Sequence, residues 1–456
     1  MLQTNEYRAS RYIAWVLRTA DFRNIMRRQK LVYTRKAQLL VAIAWVIATA
    51  LIGLLAFALY TAASGEGQWW IIAAGIVIVS PFVLALGLTL PLVIGYVLIQ
   101  KPREKVIIAR AREVLNNHPA KRIAVLGSYG KTTAKEMLKT VLAEGVNVAA
   151  TPGNMNTAIG ISRFVMKLRG NEDVLLFELG EEKPGDIRRL SRIVRPDLAI
   201  ITGINEAHLQ SFKTLERTVE TIYEITDFVE PSELYQNTDN TIIAKSRNEG
   251  ISYGLHGVGE AKVTHATTSL DGTDFTVAFG DEKLAIHTAL LGLHTVGVSA
   301  AVAAIAKQLG LKKDAIEEGF RNVQPFEHRM QLKPLHGAWI IDDTYNGNSD
   351  GIKAGLELLA TLDAKRRVYV TPGLVETGSE TEKVHVQIGV QAAKMDVVVL
   401  MQNSVTEYIQ AGLKKGKFKG ELLIVDDPLS FYTNLDQIVA AGDVVLMQND
   451  WTDNYA

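Results

Sequence analysis

Arg122-Ile-Ala-Val-Leu-Gly127-Ser-Tyr-Gly-Lys131-Thr-Thr133-Ala-Lys-Glu-Met137 holds, in order, a short apolar run, a glycine turn, a Lys-Thr pair and a helical pattern. Arg122–Leu126 has the length and composition of a buried strand, and the residues from Ala134 to Glu144 read as a helix. Between them, Gly127, Ser128, Tyr129, Gly130, Lys131, Thr132 and Thr133 form a loop. Its glycines let backbone N–H groups turn inward, and the start of the helix adds positive potential. Strand, glycine turn, Lys-Thr and helix together are suited to hold a polyphosphate. Lys131 would bridge the β- and γ-phosphates of ATP, and Thr132 would bind Mg²⁺. The loop is shorter than G-x-x-x-x-G-K-[ST], so a chance Gly-Lys-Thr turn is the bland alternative. The flanking strand and helix favour the nucleotide.

Toward the N-terminus the chain changes character. Ala37 to Ala63 carries no charge, and Leu39–Tyr60 matches the roughly 20 apolar residues that cross a hydrocarbon core. A second uncharged run, Trp69 to Gln100, is longer than one span needs and contains Pro81 and Pro91 as places to kink. Only Ser64-Gly-Glu-Gly-Gln68 separates the two runs. Arg8, Arg11, Arg18, Arg23, Arg27, Arg28, Lys30, Arg35 and Lys36 precede the first run; Lys101, Arg103 and Lys105 follow the second. Positive flanks stay inside, so both ends are expected in the cytoplasm and the protein in the cell membrane as a multi-pass chain. A cleaved signal peptide fits worse, because the first run is too long and no small-residue cleavage site ends it. Lys+Arg and Asp+Glu are equal at 49 each, so no global field recruits nucleic acid. There is no cysteine, which excludes disulfides and thiolate sites.

Beyond the loop, further blocks follow in a fixed order: Thr151–Gly160 (TPGNMNTAIG), Phe177–Gly180 (FELG), Glu206–Phe212 (EAHLQSF), Asp342–Asn348 (DDTYNGN) and Val384–Gly389 (VHVQIG). With GSYGKTTAKEM they resemble the Mur ligases, most of all the type that adds D-alanyl-D-alanine to a muramoyl-tripeptide. The resemblance covers roughly residues 120–450. It implies an ATP-dependent amide-bond ligase of cell-wall precursor synthesis, with ATP and Mg²⁺ as cofactors. Its substrates would be a cell-wall peptide precursor and the amine of an amino acid or dipeptide. The implied fold class is α/β: a P-loop central ATPase domain and a Rossmann-like C-terminal domain, preceded by a two-helix transmembrane hairpin. The expected divisions are a basic segment 1–36, the hairpin 37–100, the central ATP-binding domain 101–331 and the C-terminal domain 332–456.

The resemblance also assigns residues. Glu178, at the end of an apolar strand, joins Thr132 at the metal, and His208 binds a second metal. Asn154 and Asn156 face the substrate and the γ-phosphate, although Asn in such a loop is usually a turn former. Arg329 reaches the nucleotide phosphates from the domain junction. Asp343, Tyr345 and Asn346 lie near the nucleotide, and His294 near the adenine. Glu376 sits in the loop that meets the incoming amine. Lys131, His208 and Arg329 are the expected catalytic residues.

Four positions depart from the family pattern. Ile222 stands where a carbamylated lysine is expected, and Glu220 and Glu224 flank it as candidate replacements. Thr295 and Val298 replace two asparagines near the adenine, and Gly373 replaces an aspartate. These departures leave room for a membrane-tethered nucleotide-binding scaffold or pseudo-ligase, and for a ligase of another amino-acid polymer. The hairpin occupies the place of a uridine-nucleotide-binding domain, which points to a lipid-linked or membrane-proximal carboxylate substrate.

From Leu332 the pattern alternates strand and helix: Ala338–Ile341, Gly351–Leu362, Arg367–Thr371, Thr381–Ala393, Val397–Leu400, Val405–Gly412, Leu422–Val425, Leu429–Ala440 and Val444–Met447. That alternation predicts a parallel sheet with helices on its faces.

Overall fold

In the computed structural model the run before the glycine turn is strand β1, Lys121–Leu126, and the helix after it is Lys131–Leu142. The structure describes residues 9–18, 33–65, 67–153, 155–205, 209–246, 249–345, 347–375, 377–427, 431 and 433–449. The chain divides into two compact units, Met1–Ala109 and Arg110–Ala456.

The first unit is helical. Arg35–Ala63 and Trp69–Gly87 pack side by side, with Phe57 edge-on to Trp69 at 5.7 Å between ring centroids. Thr34 caps the first of them by accepting a hydrogen bond from Ala37 N at 3.2 Å. Gly87 lies so close to the other helix that an added Cβ would stand 3.0 Å from Ile47 Cδ1. The second helix continues through Thr89–Gly95, a π-helical turn Tyr96–Gln100, and Lys101–Asn116. Both are long and apolar enough to cross a membrane by length and composition. Their outer faces are bare hydrocarbon: Trp45, Ile52, Ile71 and Ile78 are 68%, 65%, 77% and 69% exposed. Pro81 has no N–H for the Val77 carbonyl one turn back, and Ser80 Oγ donates to that carbonyl at 3.0 Å instead. Thr49 and Thr61 likewise donate to carbonyls of their own helix. Internal satisfaction of polar groups is what a segment surrounded by lipid requires.

In the second unit the first sheet has the order β10-β9-β8-β7-β6-β5-β4-β1-β3-β2. Its parallel part is β2 (Val148–Ala150), β3 (Val174–Glu178), β1, β4 (Leu198–Ile201), β5 (Leu234–Asn237) and β6 (Ile251–Gly254). These strands are apolar on both faces because helices cover both sides. Ile123, Val125, Leu176 and Ile200 pack with Met137, Leu138 and Val141 of the loop-bearing helix and with helix His294–Gln308. The loops after β1, β3 and β4 converge at the carboxyl edge, where open α/β sheets bind ligands.

An antiparallel meander, which the sequence reading passed over, follows: β7 (Gly257–Val258), β8 (Ala261–Ser269), β9 (Gly272–Phe279) and β10 (Glu282–Thr288). Its polar outer face dilutes the apolar signal, as the exposed and half-buried residues of β8 show.

The second sheet has the order β11-β12-β16-β13-β14-β15. Its strands are β11 (Gln331–Leu335), β12 (Ala338–Asp343), β13 (Arg367–Thr371), β14 (Val397–Met401), β15 (Glu421–Val425) and β16 (Val444–Gln448). All pair in parallel except β11 with β12. The expected alternation is present, with helices Ser349–Thr361, Thr381–Ala392 and Thr406–Lys415 between strands. Within the expected helix Leu429–Ala440, Phe431 and Thr433 are helical and a turn at Asn434 leads into the helix Leu435–Ile438; residues 428–430 and 432 lie outside the described set. Strand β11, missed in the sequence, is an edge strand that accommodates Pro334.

Candidate active site

Close backbone contact shapes the glycine turn. Gly127 has φ +136°, and an added Cβ would lie 2.5 Å from Thr202 Oγ1 and 2.8 Å from the Gly203 carbonyl oxygen. Only glycine accepts both the conformation and the approach of the β4 end. Ser128 N donates to that Gly203 oxygen at 2.7 Å. The Tyr129 ring lies over Gly203, where an added Cβ would be 2.3 Å from the ring, and its hydroxyl accepts from Asn240 Nδ2 at 3.1 Å. Gly130, at φ 76°, begins the helix without a side-chain cap, so no cap competes for the helix's first N–H groups.

Behind the turn sits a charged cluster. Thr132 Oγ1 donates to Glu178 Oε2 at 3.0 Å, and Asn156 Nδ2 donates to Glu178 Oε1 at 3.2 Å. Gly180 lets Asn156 come this near; an added Cβ would stand 2.7 Å from the Asn156 side chain. Lys131 Nζ donates to the Gly127 carbonyl and to both oxygens of Glu181, each at 3.1 Å. Lys135 is fully buried and donates to the carbonyls of Thr151 at 2.7 Å and Gly153 at 2.6 Å. Its ammonium also lies 3.4 Å from Glu178 and 3.3 Å from Glu136.

The C-terminal sheet brings a second group of residues to the same cleft. A cavity of about 120 Å³ is lined by Thr133, His294 and Thr295 from the first sheet's domain and by Arg329, Asp343 and Tyr345 from the second. The Arg329 guanidinium stacks over the Tyr345 ring, 4.4 Å from its centroid. Asp343, at the end of β12, accepts from Gln448 Nε2 at 2.8 Å and Met330 N at 3.3 Å. Burial nevertheless pushes its carboxyl up to about 6, against the opposing effect of these bonds and of Arg329. The His294 ring opens on the cavity and is exposed there, but the protein packed around it pushes its pKa down to about 4. At pH 7 it is a neutral donor and acceptor. Asn205 ties the two domains together, donating to Asn348 Oδ1 at 3.1 Å and Asp350 Oδ2 at 3.3 Å.

Most residues singled out in the sequence therefore meet at one cleft. Lys131, Thr132, Glu178 and Asn156 form its floor; Thr133, His294, Arg329, Asp343 and Tyr345 line its cavity. Asn154, His208, Asn346 and Glu376 lie outside the described residues.

The proposed substitutes for the family's lysine fare badly. Ile222 is fully buried at the end of helix Leu215–Ile222. Glu220 is exposed, and Glu224 accepts from Arg188 N at 2.9 Å, which commits it to the start of another helix.

Sequence reading missed Lys135, Glu181, Asn205 and Gln448. Lys135 had a signal: it falls in the apolar stripe of its helix, with Leu138 and Leu142. The His385 ring was also missed. Its Nδ1 lies 2.6 Å from the Thr381 carbonyl, and its Nε2 accepts from Leu374 N at 2.9 Å. Burial lowers its pKa, so the neutral ring anchors the loop after β13.

A P-loop sheet facing a Rossmann-like sheet across a phosphate-sized cleft is the architecture of the ATP-dependent acid–amino-acid ligases. The Mur ligase middle domain matches residues 125–306, and the Mur ligase glutamate ligase domain matches residues 328–448. The UDP-N-acetylmuramoyl-tripeptide–D-alanyl-D-alanine ligase of Treponema pallidum is 30% identical over 332 residues, 72% of this chain and 71% of that one. The Escherichia coli ligase of the same name is 29% identical over 285 residues, 60% of this chain and 62% of that one. The MurF ligase of Thermotoga maritima in complex with ADP is similar in structure, with a TM-score of 0.66 and 26% identity. That likeness covers 76% of this chain and 80% of that one. The chain belongs to the Mur ligase family.

Proposed function

We propose that this ligase uses ATP to activate a carboxylate of a cell-wall peptide precursor and joins it to an amine such as that of D-alanyl-D-alanine. The N-terminal hairpin holds it to the membrane with residues 101–456 in the cytoplasm. The observation that carries the reading is the cleft, where Lys131, Thr132 and Glu178 face Arg329, Asp343 and Tyr345.

The proposed roles are supported by the cleft for the described residues and by the family resemblance for Asn154, His208 and Glu376. The uncapped helix start and Lys131 bind the β- and γ-phosphates, and Arg329 neutralises them from the other side. His294, Asp343 and Tyr345 hold the nucleoside end, while Asn154, Asn156 and Glu376 meet the substrates. Thr132 and Glu178 offer adjacent hard oxygens 3.0 Å apart, a donor set that fits Mg²⁺, and His208 is assigned by the resemblance to a second metal. The ion supplies charge neutralisation at the phosphates when bound.

The substrate carboxylate oxygen attacks the γ-phosphorus, and the bond to the β-phosphate oxygen breaks to release ADP. The amine nitrogen then attacks the acyl carbon, phosphate leaves with the C–O electron pair, and the nitrogen loses its proton. The protein's contribution is positioning and charge.

The decisive experiment incubates the purified full chain with ATP, muropeptide carboxylates and D-alanyl-D-alanine, and weighs the products. A product heavier by the dipeptide less water, formed with one ADP, is the expected result; ATP turnover indifferent to the amine sinks the reading. Protease protection should leave residues 101–456 accessible from the cytoplasmic side. The carboxylate is read as lipid-linked, so hairpin deletion should leave poor turnover of a soluble uridine-linked peptide. Equal turnover would remove the lipid link. Buried Ile222, in place of a metal-binding lysine, favours a second reading as a nucleotide-binding scaffold, and amine-dependent phosphate release separates the two.

A further inference from the structure

We propose that strand β15 is a self-association edge, on which a second copy of this chain pairs antiparallel about Leu423 and joins the two six-stranded sheets into one. Among the described residues β15 pairs with β14 alone and so ends its sheet. Glu421 N donates to the Asp396 carbonyl, and the Val425 carbonyl accepts from Gln402 N, each at 2.9 Å. Backbone groups alternate sides along a strand. Glu421, Leu423 and Val425 therefore face β14, and the N–H and C=O groups of Leu422 and Ile424 face outward. The side chains of these two are uncovered as well, 36% and 44% exposed.

The other sheet edges are blunted. β11 carries Lys333 and Pro334, β10 carries Glu282, Lys283 and His287, and β2 has only three residues. Charge, proline and shortness are the usual means of preventing edge pairing. Leu422-Leu-Ile-Val425 has none of them.

Charge selects the occupant. Lys417 and Lys419 precede the strand and Asp426 and Asp427 follow it, all four exposed. Laid antiparallel on its own copy about Leu423, the strand sets Leu422 against Ile424, Gly420 against Asp426 and Lys419 against Asp427, each twice by symmetry. A parallel copy would set lysine against lysine. The backbone fits the same register: Leu422 and Ile424, whose polar groups face outward, become hydrogen-bonded pairs. A slip of one residue would lose that match. A strand of five residues makes a small interface, so the dimer is weak and exchanges fast.

The chain has no cysteine, so introduced thiols report contacts without background. Full-length Leu422→Cys and Ile424→Cys are co-expressed with different tags and oxidised with copper phenanthroline in membrane vesicles. Opposed Cα atoms of a hydrogen-bonded pair lie about 5.5 Å apart, within disulfide reach, whereas like positions are two residues out of step and beyond about 7 Å. The expected result is a disulfide between the two variants, formed at least about tenfold more than within either one. Ile424→Pro removes one outward N–H from each copy and leaves the β14 ladder whole. In a Leu423→Cys background, whose thiols would meet across the two-fold axis, it should cut cross-linking at least about tenfold. Far-ultraviolet circular dichroism checks its folding; if it does not fold, the Leu422 and Ile424 thiols decide alone. No disulfide between the two variants, or yields within either variant as high as between them, overturns the proposal. So does Leu423→Cys cross-linking that Ile424→Pro leaves unchanged.

Discussion

Replacing Lys135 with methionine should cost this protein about 4 kcal/mol without touching any residue of the phosphate turn. The methionine stem occupies nearly the same volume, so the loss is that of the ammonium. That ammonium is fully buried and donates to the Thr151 and Gly153 carbonyls at 2.7 and 2.6 Å. A hydrogen bond to a charged group is worth about 1.5–3 kcal/mol, so the two together give about 3–6. The same charge lies 3.4 Å from Glu178, which is 2% exposed, and breaking such a buried pair costs about 3–5 kcal/mol. The two figures describe one ammonium and are not summed; about 4 is where they overlap. The assay is urea unfolding at pH 7.5, followed by the tryptophan-independent far-ultraviolet signal and repeated with ADP. The variant should unfold at distinctly lower urea and bind ADP at least tenfold more weakly, because the 151–156 loop and Glu178 both lose their anchor. A midpoint within 1 kcal/mol of wild type would refute the assignment of this lysine as the pin between helix and loop.

Glu172 offers a pH test. Burial raises its pKa, but the amides of Arg169 and Gly170 and the His118 ring outweigh this and bring it down to about 2. A lowered acid contributes stability above its unfolded value near 4.5 and loses it as the pH falls toward 2. Glu172→Gln should therefore lose about 3 kcal/mol at pH 6, and the difference from wild type should fade on acidification, read as urea midpoints against pH. Asp343 has the opposite sign: raised to about 6, its charge opposes folding above that pH and ceases to do so below about 4. Asp343→Asn should stabilise the nucleotide-free protein by about 2 kcal/mol at pH 8 and not at pH 4, while weakening ADP binding in calorimetry. At Gly203, an alanine methyl would stand 2.3 Å from the Tyr129 ring. Gly203→Ala should displace the phosphate turn and reduce ADP affinity about a hundredfold, with a far smaller change in thermal stability.

Residues near one another in the chain decided much of this protein on their own. An apolar strand, two glycines and Lys131-Thr132 within twelve residues specify a phosphate turn, because backbone geometry and helix polarity act locally. The alternation after Leu332 specifies a parallel sheet, since strands buried on both faces carry unbroken apolar runs. The two uncharged runs specify long apolar helices, because each run is apolar on every face and of membrane-spanning length.

What the tertiary structure decided is who meets whom. Lys131 is held by Glu181, fifty residues away, and that distance in sequence has no periodicity to betray it. The apolar stripe of its helix hinted that Lys135 is buried, but only the tertiary structure supplies its partners, the carbonyls of Thr151 and Gly153. Asn205 and Asn348 lie 143 residues apart and join the two domains, and Gln448 at the far end of the chain holds Asp343. The antiparallel meander between β6 and β10 also escaped notice, because strands wet on one side carry a weaker pattern than buried ones. Local sequence encodes backbone shape, whereas charge partners are chosen by strand order, which brings the ends of β1, β3, β4, β12 and β16 to one cleft.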